Sequence, residues 1–150
     1  MVLGEQLRTD LSRAMKQGDK VRVSTLRLLR AALKNREIAK GGVLEEEEAL
    51  EVLMQAAKQR REAIALAREY GREDVACQEE RELEILQNYL PEALSKEELQ
   101  RRIEAIVQEI GAVSLQDMGR VMTALMPAVK GRADGRTVSR LVRERLEASP

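Results

Sequence analysis

The sequence predicts an all-α protein, with an N-terminal helical bundle of about four helices over residues 1–91 and a C-terminal three-helix domain over residues 92–150. Three observations lead there. Aliphatic residues recur three and four positions apart along almost the whole chain, the period of an amphipathic helix, and no strand-type alternation survives beside it. The apolar 43% of the chain is nearly all aliphatic, with two Tyr and neither Phe nor Trp, and it is set among Glu, Arg, Ala and Gln, which favour helix. Glycine and proline fall mostly between the periodic runs, where helices should stop.

Each element follows in turn. Leu3, Leu7, Leu11, Ala14 and Met15 mark a first helix that Gly18 ends. Asp19 is placed to cap the second, whose inward stripe is Val23, Leu26, Leu29 or Arg30, and Leu33, and which Gly41-Gly42 stops. The acidic run Glu45–Glu48 opens a third helix, where carboxylates meet the positive end of the macrodipole. Ala49, Val52, Leu53, Ala56, Ala57 and Ile64 carry it to about Tyr70, and Gly71 breaks it. A fourth runs from about Asp74 to Tyr89, with Leu83, Leu86 and Leu90 on one face. Both tyrosines sit near helix ends and are expected to hold their hydroxyls toward water.

Pro91 marks the boundary between the two parts. Ser95-Lys-Glu-Glu98 has the form of a capping box, Leu99, Ile103, Ile106, Val107 and Ile110 follow, and Gly111 is placed as a C-cap. Ser114-Leu-Gln-Asp117 is a weaker capping signal for a short helix of Met118, Val121, Met122, Leu125 and Met126, ended by Pro127. The three methionines of that helix, Met118, Met122 and Met126, are read most simply as core packing, with a peptide groove as the alternative. Asp134 is placed to cap the last helix, which turns Val138, Leu141, Val142 and Leu146 inward.

The missing residues exclude much chemistry. Without His there is no imidazole base, no Ser-His triad and no His-ligated zinc. Cys77 stands alone, so neither an internal disulfide nor a CxxC site exists. With no secretory leader evident and no apolar run near the roughly 18 residues of a membrane span, the expectation is a cytoplasmic protein without a membrane partner. Gly131-x-x-x-Gly135 is neither GxGxxG nor a Walker A loop, and no nucleotide cofactor is expected. The carboxylates Glu79, Glu80, Glu82 and Glu84 are read as surface residues, and no catalytic or metal-binding set is assigned.

Charge is balanced overall at 26 basic and 26 acidic residues, yet unevenly placed. Residues 1–40 hold 10 Lys/Arg against 4 Asp/Glu, and residues 41–90 hold 6 against 13. The basic face Arg27, Arg30 and Lys34 could track a phosphate backbone or pair with the acidic third and fourth helices, and pairing is the favoured expectation because that segment supplies the counter-charge. Residues 118–145 hold 7 basic side chains against 2 acidic ones. There Gly131 and Gly135 offer positive-φ turns, and the open backbone N–H groups at the start of the last helix could hold a phosphate, with Lys130, Arg132 and Arg136 near enough in sequence to add charge; Asp134, as an N-cap, would satisfy the same donors and repel an anion. Arg136, Arg140 and Arg143 fall on one helical face. By spacing alone, a solvated basic connection between two helices is the favoured reading, since a basic cluster by itself is a weak nucleic-acid signal.

Five segments in order resemble the YqeY-like family. They are Arg22-Val-Ser-Thr-Leu-Arg-Leu-Leu-Arg-Ala-Ala-Leu33, Lys58-Gln-Arg-Arg-Glu62, Leu86-Gln-Asn-Tyr-Leu-Pro91, Asp117-Met-Gly-Arg-Val-Met122 and Lys130-Gly-Arg-Ala-Asp-Gly135. Members of that family look like a free-standing relative of the tail of GatB, the tRNA-binding subunit of the glutamine-dependent tRNA amidotransferase. The resemblance implies an all-helical fold and a C-terminal tRNA-binding module, related by homology to a carbon-nitrogen ligase but without its catalytic core. Candidate phosphate contacts are Lys130, Arg132, Arg136, Arg140 and Arg143; candidate structural residues of the motifs are Gly119, Pro127, Gly131, Asp134 and Gly135. The alternative is an adaptor that docks on an amidotransferase, a synthetase or another translation component.

Overall fold

The structure, a computed structural model, describes residues 2–148. Among them lie seven α-helices, one 310 turn and no strand: α1 (Val2–Gln17), α2 (Lys20–Lys40), α3 (Glu46–Glu69), α4 (Glu73–Gln87), α5 (Lys96–Ile110), the 310 turn Leu115–Asp117, α6 (Met118–Val129) and α7 (Gly135–Glu147). The protein is all-α, as its periodicity predicts. The chain divides into two compact units, Met1–Leu90 and Pro91–Pro150.

In the first unit the helix ends lie where the sequence signals place them. Gly18, Gly41 and Gly71 adopt the left-handed conformation that ends α1, α2 and α3, with φ of 70°, 82° and 69°. The Asp19 carboxylate accepts the Arg22 N–H at 3.1 Å, capping α2, and Glu48 accepts the Glu45 N–H at 3.1 Å, steadying the start of α3. The core is a leucine cluster drawn from α1 (Leu7, Leu11), α2 (Leu26, Leu29, Leu33), the α2–α3 loop (Leu44), α3 (Ala49, Leu53) and α4 (Ile85, Leu86). Each large aliphatic side chain of this set contributes roughly 1.5–3 kcal/mol relative to exposure. A smaller cluster of Ile64, Ala67 and Ala76 holds the far end of the α3–α4 hairpin.

Four sequence expectations in this unit are corrected. Met15 is not part of the inward stripe but is 54% exposed, because Leu7, Leu11 and Ala14 already complete the buried face of α1. Tyr89 does not turn its hydroxyl to water: it donates to Asp10 Oδ2 at 2.5 Å, tying the end of α4 to α1. Glu79 and Glu82 are not free surface acids, since Arg60 Nε lies 3.3 and 3.0 Å from them across the hairpin. Arg27 and Arg30 make no ion pair among the described residues, and Lys34 reaches only Glu37 of its own helix; Arg36 and Lys40 are the α2 residues that pair with Glu51 and Glu48 of α3.

The second unit packs α5, α6 and α7 around Leu99, Ile103, Val107, Val121, Leu125, Val129, Val138, Leu141, Val142 and Leu146. The Ser95–Glu98 capping box forms in both directions, and Gly111 ends α5 at φ 73°. Met118, Met122 and Met126 are partly buried against this core. One boundary differs from expectation: α6 runs through Pro127 to Val129. Pro127 has no N–H for the i−4 carbonyl, but Leu125 and Val129 on either side are fully buried and pin both ends of the turn. The Lys130 N–H then bonds the Met126 carbonyl at 2.9 Å, so the helical ladder resumes.

Candidate functional site

The basic stretch of the second unit begins at the 310 turn. Asp117 accepts the N–H groups of Val113 at 2.9 Å and Ser114 at 3.3 Å, and lies 3.4 Å from Arg120. These donors, the Val113 N–H first, hold its carboxyl below the usual carboxylate range. Asp117 is thus a loop-closing residue, and Arg120 is partly spent on it. Gly119 lies in the first turn of α6, where an added Cβ would meet nothing within 4 Å, so this position shows no steric need for glycine.

The loop between α6 and α7 is a lock. Gly131 takes φ 79°, a conformation costly for any residue with a Cβ. That turn aims Arg132 back at the segment entering the unit. The Arg132 carbonyl accepts the Leu94 N–H at 2.8 Å, and its guanidinium Nε donates to the Glu92 carbonyl at 3.0 Å. Lys130 is partly buried at the C-cap of α6 and is itself engaged. Gly135 departs from the positive-φ expectation: it is the first residue of α7, with φ in the ordinary range. Asp134 occupies the N-cap position with extended backbone, but its carboxylate makes no capping bond to an N–H of the first turn. It faces the Thr137 hydroxyl instead, at 3.5 Å.

The last helix separates its residues cleanly. Val138, Leu141, Val142 and Leu146 are buried, and Arg136, Arg140 and Arg143 all lie on the opposite, exposed side. Arg136 and Arg143 have no ion-pair partner among the described residues. Arg140 lies 3.4 Å from Glu144 one turn on, an exposed pair of the kind that contributes little. Arg145, by contrast, is committed to α5: its Nε and Nη2 grip both oxygens of Glu104, the second at 3.1 Å. Hydrogen bonds from Arg145 first, then from Gln108, hold the Glu104 carboxyl down at about 2.

The five candidate contacts therefore divide. Lys130 and Arg132 stand in the lock of the α6–α7 loop, and Arg136, Arg140 and Arg143 form an outward face. Spacing alone reveals that face but not the lock, because the partners of Arg132 lie 38 to 40 positions away in the chain. No group of three or more carboxylate or thiol side chains poised to hold a metal occurs among the described residues. No described helix is long and apolar enough to cross a membrane.

Comparison with known proteins places the chain among relatives. It is 29% identical over 119 residues to the altered inheritance of mitochondria protein 41, mitochondrial, of Vanderwaltozyma polyspora, covering 75% of this chain and 64% of that protein. The protein of the same name from Kluyveromyces lactis is 35% identical over 108 residues, 69% of this chain and 58% of its own length. The chain thus spans about three-fifths of the length of these curated relatives. A shorter similarity, 41% over 58 residues, joins 36% of the chain to 9% of a glutamyl-tRNA(Gln) amidotransferase subunit of Thermococcus gammatolerans. The model of the Yqey-like protein family matches residues 4–146, and the chain belongs to that family.

Proposed function

We propose that this chain is a non-catalytic RNA-binding protein that takes tRNA by its phosphate backbone, using the outer face of α7. The observation that carries the reading is the exposed row Arg136, Arg140 and Arg143, of which the first and last make no ion pair among the described residues. Three guanidinium groups on one helical face suit a polyanion, and bidentate donation suits phosphate in particular. The similarity to an amidotransferase component named for glutamyl-tRNA(Gln) supports tRNA over other nucleic acids. Within this reading the kinship to a carbon-nitrogen ligase is one of ancestry rather than activity, and recognition rests on shape and charge. An amidotransferase or synthetase component is the proposed protein partner. The proposed location is the cytoplasm, for which the exposed free thiol of Cys77 suits a reducing compartment.

The test is a titration of the purified chain into labelled bulk tRNA at two salt concentrations, with an unrelated duplex as control. Salt-dependent binding that prefers tRNA is expected. In the double variant R136Q/R143Q the slope of log affinity against log salt should fall by about two, roughly one for each phosphate left without its arginine. Wild-type affinity and slope in that variant would remove α7 from the interface.

A further inference from the structure

The turn joining α1 to α2 leaves an open groove of about 540 Å³ lined by Met15, Lys20, Val23, Ser24, Arg27 and Leu28. Two properties set it apart. Met15 and Leu28 are large apolar side chains yet 54% and 53% exposed, although their helices complete the core without them through Leu11, Ala14, Leu26 and Leu29. Lys20 and Arg27 make no ion pair among the described residues, whereas Arg36 and Lys40, further along α2, reach α3 carboxylates. No carboxylate lines the groove.

We infer that this groove docks an acidic amphipathic segment of a partner protein, which sets aliphatic side chains on Met15, Val23 and Leu28 and carboxylates against Lys20 and Arg27. Charge complementarity selects the partner. A rim of two unpaired cations around an apolar floor attracts a ligand that is negative at its edges and greasy along its middle. A neutral apolar peptide would leave the cations unanswered. A nucleic-acid backbone would leave the floor unused, and no aromatic ring lines the groove for bases to stack on. The flexible Met15 thioether and the aliphatic stems of Lys20 and Arg27 let the floor fit a segment of varied sequence. The groove is built entirely from residues of the first unit, and the inference does not depend on the tRNA reading.

The test uses the full chain and a fluorescein-labelled peptide of Glu, Ala and Leu with leucines at i, i+3, i+4 and i+7. A scrambled peptide of the same composition serves as control. Fluorescence anisotropy should show the patterned peptide binding about tenfold or more tightly than the scrambled one. Leu28→Glu and the pair Lys20→Glu/Arg27→Glu should each remove about tenfold or more of that affinity. Circular dichroism verifies that these surface variants stay folded, and Leu66→Glu, an exposed leucine on α3, should bind as wild type. R136Q/R143Q should leave peptide binding intact. Equal binding of the two peptides, or indifference to both groove variants, overturns the proposal. Self-association abolished by Leu28→Glu would give the groove to a second copy instead, and tRNA binding abolished by Lys20→Glu/Arg27→Glu would give it to nucleic acid; either result overturns it too.

Discussion

Two arginines four positions apart, Arg132 and Arg136, share a charge and a basic stretch but not a setting. Arg132 is held at both its carbonyl and its Nε by the backbone of residues 92–94, whereas Arg136 has no ion-pair partner among the described residues. Arg132→Ala should therefore destabilise the second unit by about 1 kcal/mol, the net value of one hydrogen bond, and should speed hydrogen exchange at the Leu94 amide. A loss of tRNA affinity with unchanged thermal stability in that variant would show Arg132 to be a contact residue instead. Glu104 makes a prediction about pH. Its carboxyl is held at about 2 by Arg145, below the unfolded value of about 4.3. Such a group favours the folded state at every pH above that unfolded value, and the contribution drains away as pH falls from there toward 2. Glu104→Gln should lower stability at neutral pH and flatten the acid limb of the stability profile in that window; an acid limb as steep as wild type would mean the pair does not form in solution.

At the scale of elements, the helix ends are legible from single residues because capping is local. Gly18, Gly41, Gly111, Asp19 and Ser95 each act within four positions of themselves. What stays hidden depends on distant partners: Tyr89 meets Asp10 across 79 positions, and Arg60 finds Glu79 and Glu82 only once α3 folds back on α4. The same division runs through the candidate site, whose outward arginine face follows from a helical period while its loop lock does not. Pro127 reads as a terminator when its local cost is weighed without the burial of Leu125 and Val129 that overrides it. That cost is still present in the folded chain. Pro127→Ala restores an N–H to the ladder of α6 at an exposed position, and should raise stability by about 1 kcal/mol after the greater freedom of the unfolded chain is counted. A lower melting temperature would mean that the ring itself packs usefully.

At the scale of the whole molecule, each unit has its own core, one rich in leucine and the other shared between valine and leucine. The lock at Arg132 is also internal to the second unit. A fragment of residues 91–150 should accordingly remain helical and unfold cooperatively, and should keep the salt-dependent tRNA binding of the full chain. An unfolded fragment would show that the second unit needs residues outside it. The distribution of the two tyrosines then has a practical outcome. Tyr70 and Tyr89 both lie in the first unit, and the chain has no Trp or Phe. Intrinsic fluorescence is thus a one-eyed reporter: it follows the packing of Tyr89 against Asp10 and goes dark where α5, α6 and α7 melt. A clean single emission transition would certify the cooperativity of the first ninety residues while the unit that carries the α7 arginine face had already opened unseen. Far-ultraviolet dichroism, or a tryptophan introduced at an exposed position of α7, restores sight of the half where the RNA reading stands or falls.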